Sequence, residues 1–150
     1  MSELQFRPAT RDDIVAIVAL LVDDELGAKR EDPSDLAPYR TAFEAIESNP
    51  MHELIVATKD GVVVGCCQIT ILHNLSRRGS TRALLEAVRV AGTMRGQKVG
   101  EQLVHYAIAR AKARGAVLLQ LTSDKRRDKA IRFYERLGFV ASHEGMKLVL

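Results

Sequence analysis

Residues 86–100 read Glu-Ala-Val-Arg-Val-Ala-Gly-Thr-Met-Arg-Gly-Gln-Lys-Val-Gly, and this stretch decides the predicted fold. Its first part, up to Val90, predicts a strand, and an apolar helical pattern starts at Val99. Gly96 and Gly100 lie around the turn between them, where a backbone with little side-chain bulk can approach a large anion. The free N–H groups and the positive dipole end of the helix suit a pyrophosphate group. The stretch therefore predicts a strand, a turn and an anion-binding helix start.

The common phosphate-binding fingerprints do not fit this turn. It has neither the G-x-G-x-x-G spacing of dinucleotide-binding folds nor the G-x-x-x-x-G-K-[ST] pattern of phosphate-binding loops. From these residues alone an alternative stays open, in which Gly96 only makes a turn and Gly100 only allows close helix packing.

The first half of the chain predicts a strand, two helices and a β-hairpin. Thr10 is a good helix cap, and Asp60-Gly61 is a strong hairpin-turn signal. The predicted elements begin with a strand at 4–7 and a helix that ends near Gly27, whose inner residues are Ile14, Ile17, Val18 and Leu21. A second helix, with Tyr39, Phe43 and Ile46, ends before Asn49. Antiparallel strands follow at 53–57 and 62–72.

The second half continues as alternating strands and helices after a basic loop at 74–81. The predicted elements are a strand at 83–90, a helix at 99–113 that stops at Gly115, and a buried strand at 116–122. A last helix follows, which ends at Gly138 and whose inner residues are Ala130, Phe133, Tyr134 and Leu137. Strands are predicted at Phe139 and at 147–149. This order indicates an α/β domain with helices against a mixed sheet and a ligand crevice at the strand ends.

Length and composition limit the class of protein. The 150 residues correspond to one domain, and 47% hydrophobic and 27% charged residues are typical of a globular protein. Apolar runs are too short for a membrane span, and the start of the chain does not read as a secretion signal, so we expect a cytoplasmic protein. A net charge of +3 allows an anionic ligand, but 5% aromatic residues without Trp make nucleic acid an unlikely partner.

Cys66 and Cys67 are the two cysteines, and they are adjacent. Neighbouring side chains on a strand point to opposite faces, so we expect two reduced, buried thiols rather than a disulfide. The four histidines have no metal-ligand spacing, and no metal site is predicted.

A second stretch, residues 130–139, reads Ala-Ile-Arg-Phe-Tyr-Glu-Arg-Leu-Gly-Phe. Together with the turn at 95–100, it resembles the GCN5-related N-acetyltransferase (GNAT) superfamily, in which an arginine- and glycine-containing turn precedes a coenzyme A helix and an F-Y-E-x-x-G-F segment follows later. Residues 6–10 with Asp13, and the hairpin residues 63–65, also look like the first strands of that family. The resemblance covers nearly the whole chain.

This resemblance implies an α/β fold with a mixed, mostly antiparallel central sheet, a splayed pair of parallel strands and flanking helices, as a single domain over residues 1–150. The pantetheine arm of acetyl-CoA would lie between the splayed strands, and the turn would hold the pyrophosphate through main-chain N–H groups. The implied cofactor-binding residues are Val88, Arg89, Val90, Arg95, Gly96, Gln97, Lys98, Val99, Gly100, Glu101 and Arg127.

Two residues depart from the pattern of the family. Lys98 stands where the turn usually has its middle glycine. A helical backbone would cost Lys98 little strain and let its ammonium pair with an anion, whereas a positive φ would impair cofactor binding. Arg127 stands where many relatives carry Asn, within a basic cluster at 125–127 that is either a solvated loop or a phosphate contact.

Two side chains are candidates for catalysis. The resemblance places Tyr134 beside the cofactor sulfur, where its hydroxyl would protonate the leaving thiolate, whereas its position on the inner stripe also fits a core aromatic. Glu86 would share a strand face with Leu84 and Val88 if no bulge intervenes. Burial there would favour a general base, and the alternative is a solvated or ion-paired residue.

The resemblance implies an enzyme that moves an acetyl group from acetyl-CoA to a primary amine by direct attack, without a covalent enzyme intermediate. The acceptor is a small-molecule or a peptide amine, and the acidic loop at 31–35 with the following helix corresponds to the variable acceptor-binding region. The alternative is a non-catalytic acyl-CoA-binding sensor. The oligomeric state stays open, with a homodimer as one option.

Overall fold

The computed structural model describes residues 3–150, and it divides into two compact units, one running to Gln120 and the other from Leu121 to Leu150. The strands are β1 Gln5–Pro8, β2 His52–Lys59, β3 Val62–His73, β4 Thr81–Val90 and β5 Ala116–Gln120. The helices are α1 Ile14–Val22, α2 Gly27–Arg30, α3 Ala37–Glu47, α4 Ser76–Gly79, α5 Val99–Ala113 and α6 Asp128–Arg136. The expectation of a single domain over residues 1–150 stays a prediction.

The five strands form one mixed sheet in the order β1-β2-β3-β4-β5. The first four are antiparallel neighbours, and β4 and β5 run parallel. The β2–β3 turn has positive φ at Asp60 (52°) and Gly61 (77°), which is the backbone that a two-residue hairpin turn requires. The predicted α/β class, the mixed sheet and the hairpin are confirmed.

The core lies on both faces of this sheet. On one face, Ile17 and Leu20 of α1 pack with Val56 and Cys66. On the other face, Ala111 of α5 packs with Ile71 and Ala83 of β3 and β4. Alternate strand residues face opposite sides, so even-numbered β3 residues from Cys66 to Leu72 share the α1 face. The predicted inner stripe of α5 is confirmed, because Val99, Leu103, Ala107 and Ala111 are all buried.

The corner between β1 and α1 is held by one carboxylate. Asp13 accepts hydrogen bonds from both terminal nitrogens of Arg7, at 2.6 and 3.0 Å, and from the Thr10 backbone N–H at 2.7 Å. The hydrogen bonds from Arg7 hold the pKa of Asp13 below its ordinary value, against the opposing effect of burial. The opening motif therefore stabilises the entry into α1.

The first predicted helix is wrong at its end. It stops at Val22 instead of near Gly27, and Gly27 begins the short α2. A side chain at position 27 would collide with the carbonyl oxygen of Leu21, so the glycine is required by a close backbone approach and not by a helix stop.

Near the end of the chain, β5 confirms the predicted strand at 116–122 but not its burial, and the predicted strands at Phe139 and at 147–149 are wrong. β5 is not buried, since Val117 is 71% and Leu118 is 37% exposed, and β5 is the last strand of the sheet. Residues 139–150 form neither helix nor strand, and Met146 and Leu148 are 92% and 85% exposed. Local alternation of apolar residues is not enough for a strand, because its backbone groups need a neighbouring strand.

The last helix is confirmed. α6 spans Asp128–Arg136, its four predicted inner residues are half-buried, and Gly138 follows it with a φ of 97°. None of the helices in the described part of the chain is long and apolar enough to cross a membrane. The cytoplasmic location and the oligomeric state stay predictions.

Candidate functional site

A β-bulge interrupts β4 in the middle of the decisive stretch. Glu86 lies opposite Gln68 and Arg89 lies opposite Cys66, so Ala87 and Val88 together face the single residue between those two in β3. Ala87 has a φ of 52°, in the left-handed region that costs a residue with a Cβ roughly 1 kcal/mol. Bulges bend and twist a strand, and they are common next to active sites.

The far end of β4 has an open hydrogen-bonding edge within the sheet. β5 ends at Gln120, which lies opposite Leu84, so Val88 and Val90 lie beyond its last residue. The N–H of Ala91 donates to the carbonyl of Val64 in β3. Because successive N–H groups of a strand point to opposite sides, that of Val90 points away from β3. This edge can bind an extended, amide-containing ligand as an added strand.

The turn into α5 presents further backbone donors. Gly96 has a φ of 76° and an exposed backbone, and a Cβ placed there would meet no atom of the described residues within 4 Å. The first N–H groups of α5, from Val99 to Glu101, have no carbonyl within the helix to bind. A cavity of about 370 Å³ adjoins this turn, with Met94, Gln97 and Val99 in its wall.

Lys98 is the clearest departure from ordinary backbone geometry at this turn. It precedes α5 with a φ of 59° and a ψ of 24°, so a lysine occupies a backbone conformation that favours glycine. The sequence left two outcomes for Lys98, and the structure has the one with a positive φ, for which impaired cofactor binding is the prediction. Its side chain is exposed beside the start of the helix, where an ammonium can meet an anion.

Glu86 is exposed, so the structure has the solvated alternative and not the buried carboxyl, although Glu86 still shares a strand face with Leu84. The bulge at Ala87 breaks the alternation that would have aligned Glu86 with Val88. The carboxylate is therefore accessible to solvent and to a ligand, and it lies opposite Gln68 on the neighbouring strand.

Arg89 contacts an acidic residue that the sequence analysis did not identify. Its Nη2 lies 3.4 Å from Oδ2 of Asp24, and its Nη1 donates to the carbonyl of Val88 at 2.9 Å. Both side chains of the ion pair are 16% exposed. The pair ties the segment after α1 to the end of β4. The only signal in the sequence was the Asp23-Asp24 pair at the end of a helix, far from any motif.

The second unit carries the two remaining candidates. The ring of Tyr134 lies edge-on to Phe133 and Phe139, at centroid distances of 5.0 and 5.6 Å. Arg127 is the N-cap residue of α6. Its neighbours in the basic cluster are ion-paired, Lys125 with Glu144 at 2.8 Å and Arg126 with Asp124 at 2.7 Å.

The chemistry of the cysteines is consistent with the absence of a thiol nucleophile. Cys66 and Cys67 are free and buried, as predicted. Burial raises the pKa of each thiol to about 12, so both stay protonated near neutral pH. Within residues 3–150, no group of three or more His, Cys, Asp or Glu side chains is placed to hold a metal ion.

Comparisons with known proteins identify the family of this chain. The family model described as Acetyltransferase (GNAT) family matches residues 14–139. An aminoalkylphosphonate N-acetyltransferase from Salmonella typhimurium is 32% identical over 146 residues, which cover 95% of this chain and 89% of that protein. A transcriptional regulator from Bacillus halodurans superposes with a TM-score of 0.95 at 46% identity, over 99% of this chain and 100% of that one.

A more distant structure shares the fold. An aminoglycoside N-acetyltransferase in complex with CoA has a TM-score of 0.80 at 18% identity, over 100% of this chain and 96% of that one.

Proposed function

The chain belongs to the acetyltransferase (GNAT) family, and from this membership we propose that it transfers the acetyl group of acetyl-CoA to the primary amine of a small acceptor. The observation that carries the proposal is the open edge of β4 beyond Leu84, with the N-terminus of α5 following it in the chain. An extended amide chain ending in a pyrophosphate needs these two features together.

Cofactor binding is assigned to backbone groups of the first unit. The N–H groups of Val88 and Val90 would bind the pantetheine arm along the β4 edge, with Arg89 between them fixed by Asp24. The N–H groups of residues 95–101 would bind the pyrophosphate at the positive end of the α5 dipole. The exposed Lys98 ammonium would add a charge contact, and Arg127 is a further proposed phosphate contact.

Acyl transfer requires polarisation of the thioester carbonyl, removal of a proton from the amine and protonation of the departing thiolate. Acetyl-CoA supplies an activated thioester, and the Val88 N–H would polarise its carbonyl as the neutral amine attacks. The amine loses one proton as the new C–N bond forms, and the exposed Glu86 accepts it, directly or through water. The C–S bond then breaks, and Tyr134 donates a proton to the departing thiolate. The support for Tyr134 is its position in the F-Y-E-x-x-G-F segment.

The acceptor class is proposed from the relative in Salmonella typhimurium, whose name states an aminoalkylphosphonate as its substrate. At 32% identity over most of both chains, a short aminoalkyl compound is the first acceptor to test. This choice favours a small molecule over a peptide amine.

The test measures release of free thiol from acetyl-CoA with a panel of amines, for the parent protein and for Tyr134→Phe. General acid catalysis typically contributes 10²–10⁴-fold, so turnover should fall by about that factor while acetyl-CoA affinity is unchanged. Tyr106→Phe is the matched control, because this half-buried tyrosine stacks on Phe6 within the first unit and has no proposed role. Turnover of Tyr134→Phe within about threefold of the parent would contradict the acid role, since that is less than ~1 kcal/mol.

An acyl-CoA-binding sensor without turnover is the second candidate function. The observation that favours it is the name of the 46% identical structure, a transcriptional regulator. Calorimetry that shows acetyl-CoA binding, together with no thiol release for any amine, would support the sensor. Duplex DNA affinity that falls steeply with salt would then be the next measurement.

A further inference from the structure

A row of polar side chains lies on the same face of the sheet as α1. It begins next to Cys66, against which α1 packs, and continues along β3 toward Thr70. In β3, Gln68 and Thr70 follow Cys66 at alternate positions and therefore share its face. The strand register then adds three more polar side chains to this face, where Leu84 lies between the two of them that belong to β4. We name this group the polar strip: His52, Gln68, Thr70, Arg82 and Glu86.

The members of the polar strip contact one another across the strands. Nδ1 of His52 lies 3.0 Å from Oγ1 of Thr70 and 3.5 Å from Nε2 of Gln68. Glu86 lies directly opposite Gln68 in the β3–β4 register, where side chains on the same face are neighbours. The first three side chains are half-buried and Glu86 is exposed, so the strip is open to a ligand from solvent.

Arg82 gives the strip a cation at the end opposite Glu86. Its Nη2 donates to Oδ1 of Asn74 at 2.9 Å, and its Nε is buried without a hydrogen-bond partner among the described residues. No carboxylate within residues 3–150 lies within 4 Å of this half-buried guanidinium. An arginine that is partly desolvated without a counter-ion is costly, and an anionic group of a ligand would offset that cost.

The direction of the strip relates it to the proposed acyl site. Glu86 is adjacent to the bulge and to Val88, whereas Arg82 lies four residues earlier in β4. Four residues of strand separate the two Cα atoms by about 13 Å, and both side chains are long enough to shorten the gap between their charges. A ligand along the strip therefore meets a carboxylate near the proposed thioester position and a guanidinium farther away.

We propose that the polar strip binds the acceptor and makes the enzyme select zwitterionic amines. Glu86 takes the ammonium end, which loses one proton to solvent before the neutral amine attacks. Arg82 takes the anionic end, and Gln68, Thr70 and His52 offer hydrogen bonds between the two ends. This inference rests on the proposed function, and it names Arg82 as the residue that determines acceptor specificity. Carboxylate and phosphonate acceptors share the required chemistry.

The experiment compares three amines of equal chain length with an acidic or a neutral end: 3-aminopropylphosphonate, 4-aminobutyrate and 4-amino-1-butanol. Charge-assisted bonds to arginine are typically worth 1.5–3 kcal/mol, so Arg82→Gln should raise KM for the two acidic amines by about 10- to 100-fold. kcat should stay within about twofold, and KM for the neutral amine should not change. The ratio between the two acids shows which of them the strip prefers.

Two further variants separate specificity from folding. Arg78→Gln removes an exposed arginine of α4, in the connection that precedes β4, and should leave all three KM values unchanged. Asn74→Ala removes the hydrogen bond to Arg82 but keeps the cation, so discrimination between acidic and neutral amines should persist. Melting temperatures of all variants are measured alongside.

The outcomes distinguish this inference from the proposed function. Equal effects of Arg82→Gln on acidic and neutral amines, or no effect on either, would overturn the role of the strip while thiol release still supports acetyl transfer. No thiol release with any amine would overturn both. Calorimetry of 3-aminopropylphosphonate with the coenzyme A complex is independent of turnover, and binding that Arg82→Gln leaves unchanged would also overturn the inference.

Discussion

The two ends of α5 are built in opposite ways. At the C-terminal end, Glu53 of β2 accepts hydrogen bonds from Arg110 at 2.8 and 3.2 Å and from Arg114 at 2.7 Å, and Arg114 also donates to the carbonyl of Pro50 at 2.7 Å. These cations also suit the negative end of the helix dipole. At the N-terminal end, Lys98 has a left-handed backbone and an exposed side chain.

This difference separates stability from function within one helix. The C-terminal end satisfies its charges with residues of the same chain, so it stabilises the packing of α5 against β2. The N-terminal end keeps a strained lysine and free N–H groups, which do not stabilise the folded chain on their own. Strain of this kind persists where the surrounding structure imposes it, and it is often found at binding sites. Substitutions at the two ends should therefore separate cofactor affinity from folding stability.

The largest effect is expected for Gly100→Asp in the first turn of α5. The new carboxylate would repel a pyrophosphate and fill the space beside the backbone, so acetyl-CoA affinity should fall by at least about 100-fold. The fold should persist, because an acidic residue in the first turn suits the helix dipole. Calorimetry measures the affinity, and circular dichroism measures the helix content.

Ala109→Asp is the matched control for that variant, because Ala109 is exposed on the same helix beyond the first turn. It should bind acetyl-CoA like the parent. Unchanged affinity in Gly100→Asp would remove the turn at 95–101 from the proposed cofactor site.

The next effect is expected for Glu53→Gln at the other end of α5. Loss of the charge weakens hydrogen bonds from two arginines, and charge-assisted bonds typically contribute about 1.5–3 kcal/mol, so the free energy of unfolding should fall by roughly 1–3 kcal/mol. Acetyl-CoA affinity should change by less than about twofold. Urea denaturation and calorimetry on the same protein check both values. A large loss of affinity would show that the two ends of α5 are coupled.

The pH dependence of this variant is a smaller effect with a definite sign. Burial raises the pKa of the Glu53 carboxyl, but hydrogen bonds from Arg110 and Arg114 outweigh burial, and the pKa lies below its ordinary value of 4.5. A carboxyl with a lowered pKa in the folded state stabilises the fold above its unfolded pKa, and that stabilisation is lost as the pH falls through the folded value.

The stability difference between the parent and Glu53→Gln should therefore be full at pH 7 and shrink below about pH 4.5. Urea denaturation of both proteins at several pH values measures this difference, and it cancels the contribution of Asp13, whose pKa is also lowered. A difference that stays constant down to pH 3.5 would mean that the charge of Glu53 is not what stabilises this end.

Local signals explain which parts of the fold the sequence predicted. The bounds of α5 follow from its apolar stripe and from Gly115, and the hairpin follows from Asp60-Gly61. Both features are determined by residues close together in the chain. The turn after β4 was predicted for the same reason, because glycines and a helix start are visible in one short stretch.

The rest depends on contacts between distant residues. Nothing in the sequence around Ala87 favours a left-handed backbone, and the bulge arises from pairing with β3, so the sequence could not decide between a buried and a solvated Glu86. Asp24 and Arg89 lie far apart in the chain, and only the fold brings them together. The polar strip likewise comes from the register of β2, β3 and β4.

The smallest effect concerns Lys98, where strain and charge oppose each other. Lys98→Gly should raise the free energy of unfolding by about 1 kcal/mol or less, because glycine adopts a positive φ without strain but gains entropy in the unfolded chain. Lys98→Ala keeps the strained backbone and removes only the charge. If the ammonium meets the cofactor phosphates, both variants should bind acetyl-CoA more weakly, and the loss should be larger at low salt because salt screens exposed charges.

Lys112→Ala removes an exposed lysine near the far end of α5. It is the control for the Lys98 variants and should bind acetyl-CoA like the parent. Calorimetry at low and high salt with all three variants separates the two contributions. Tighter binding by Lys98→Gly would show that backbone strain, and not the missing charge, limits affinity at this end of the helix.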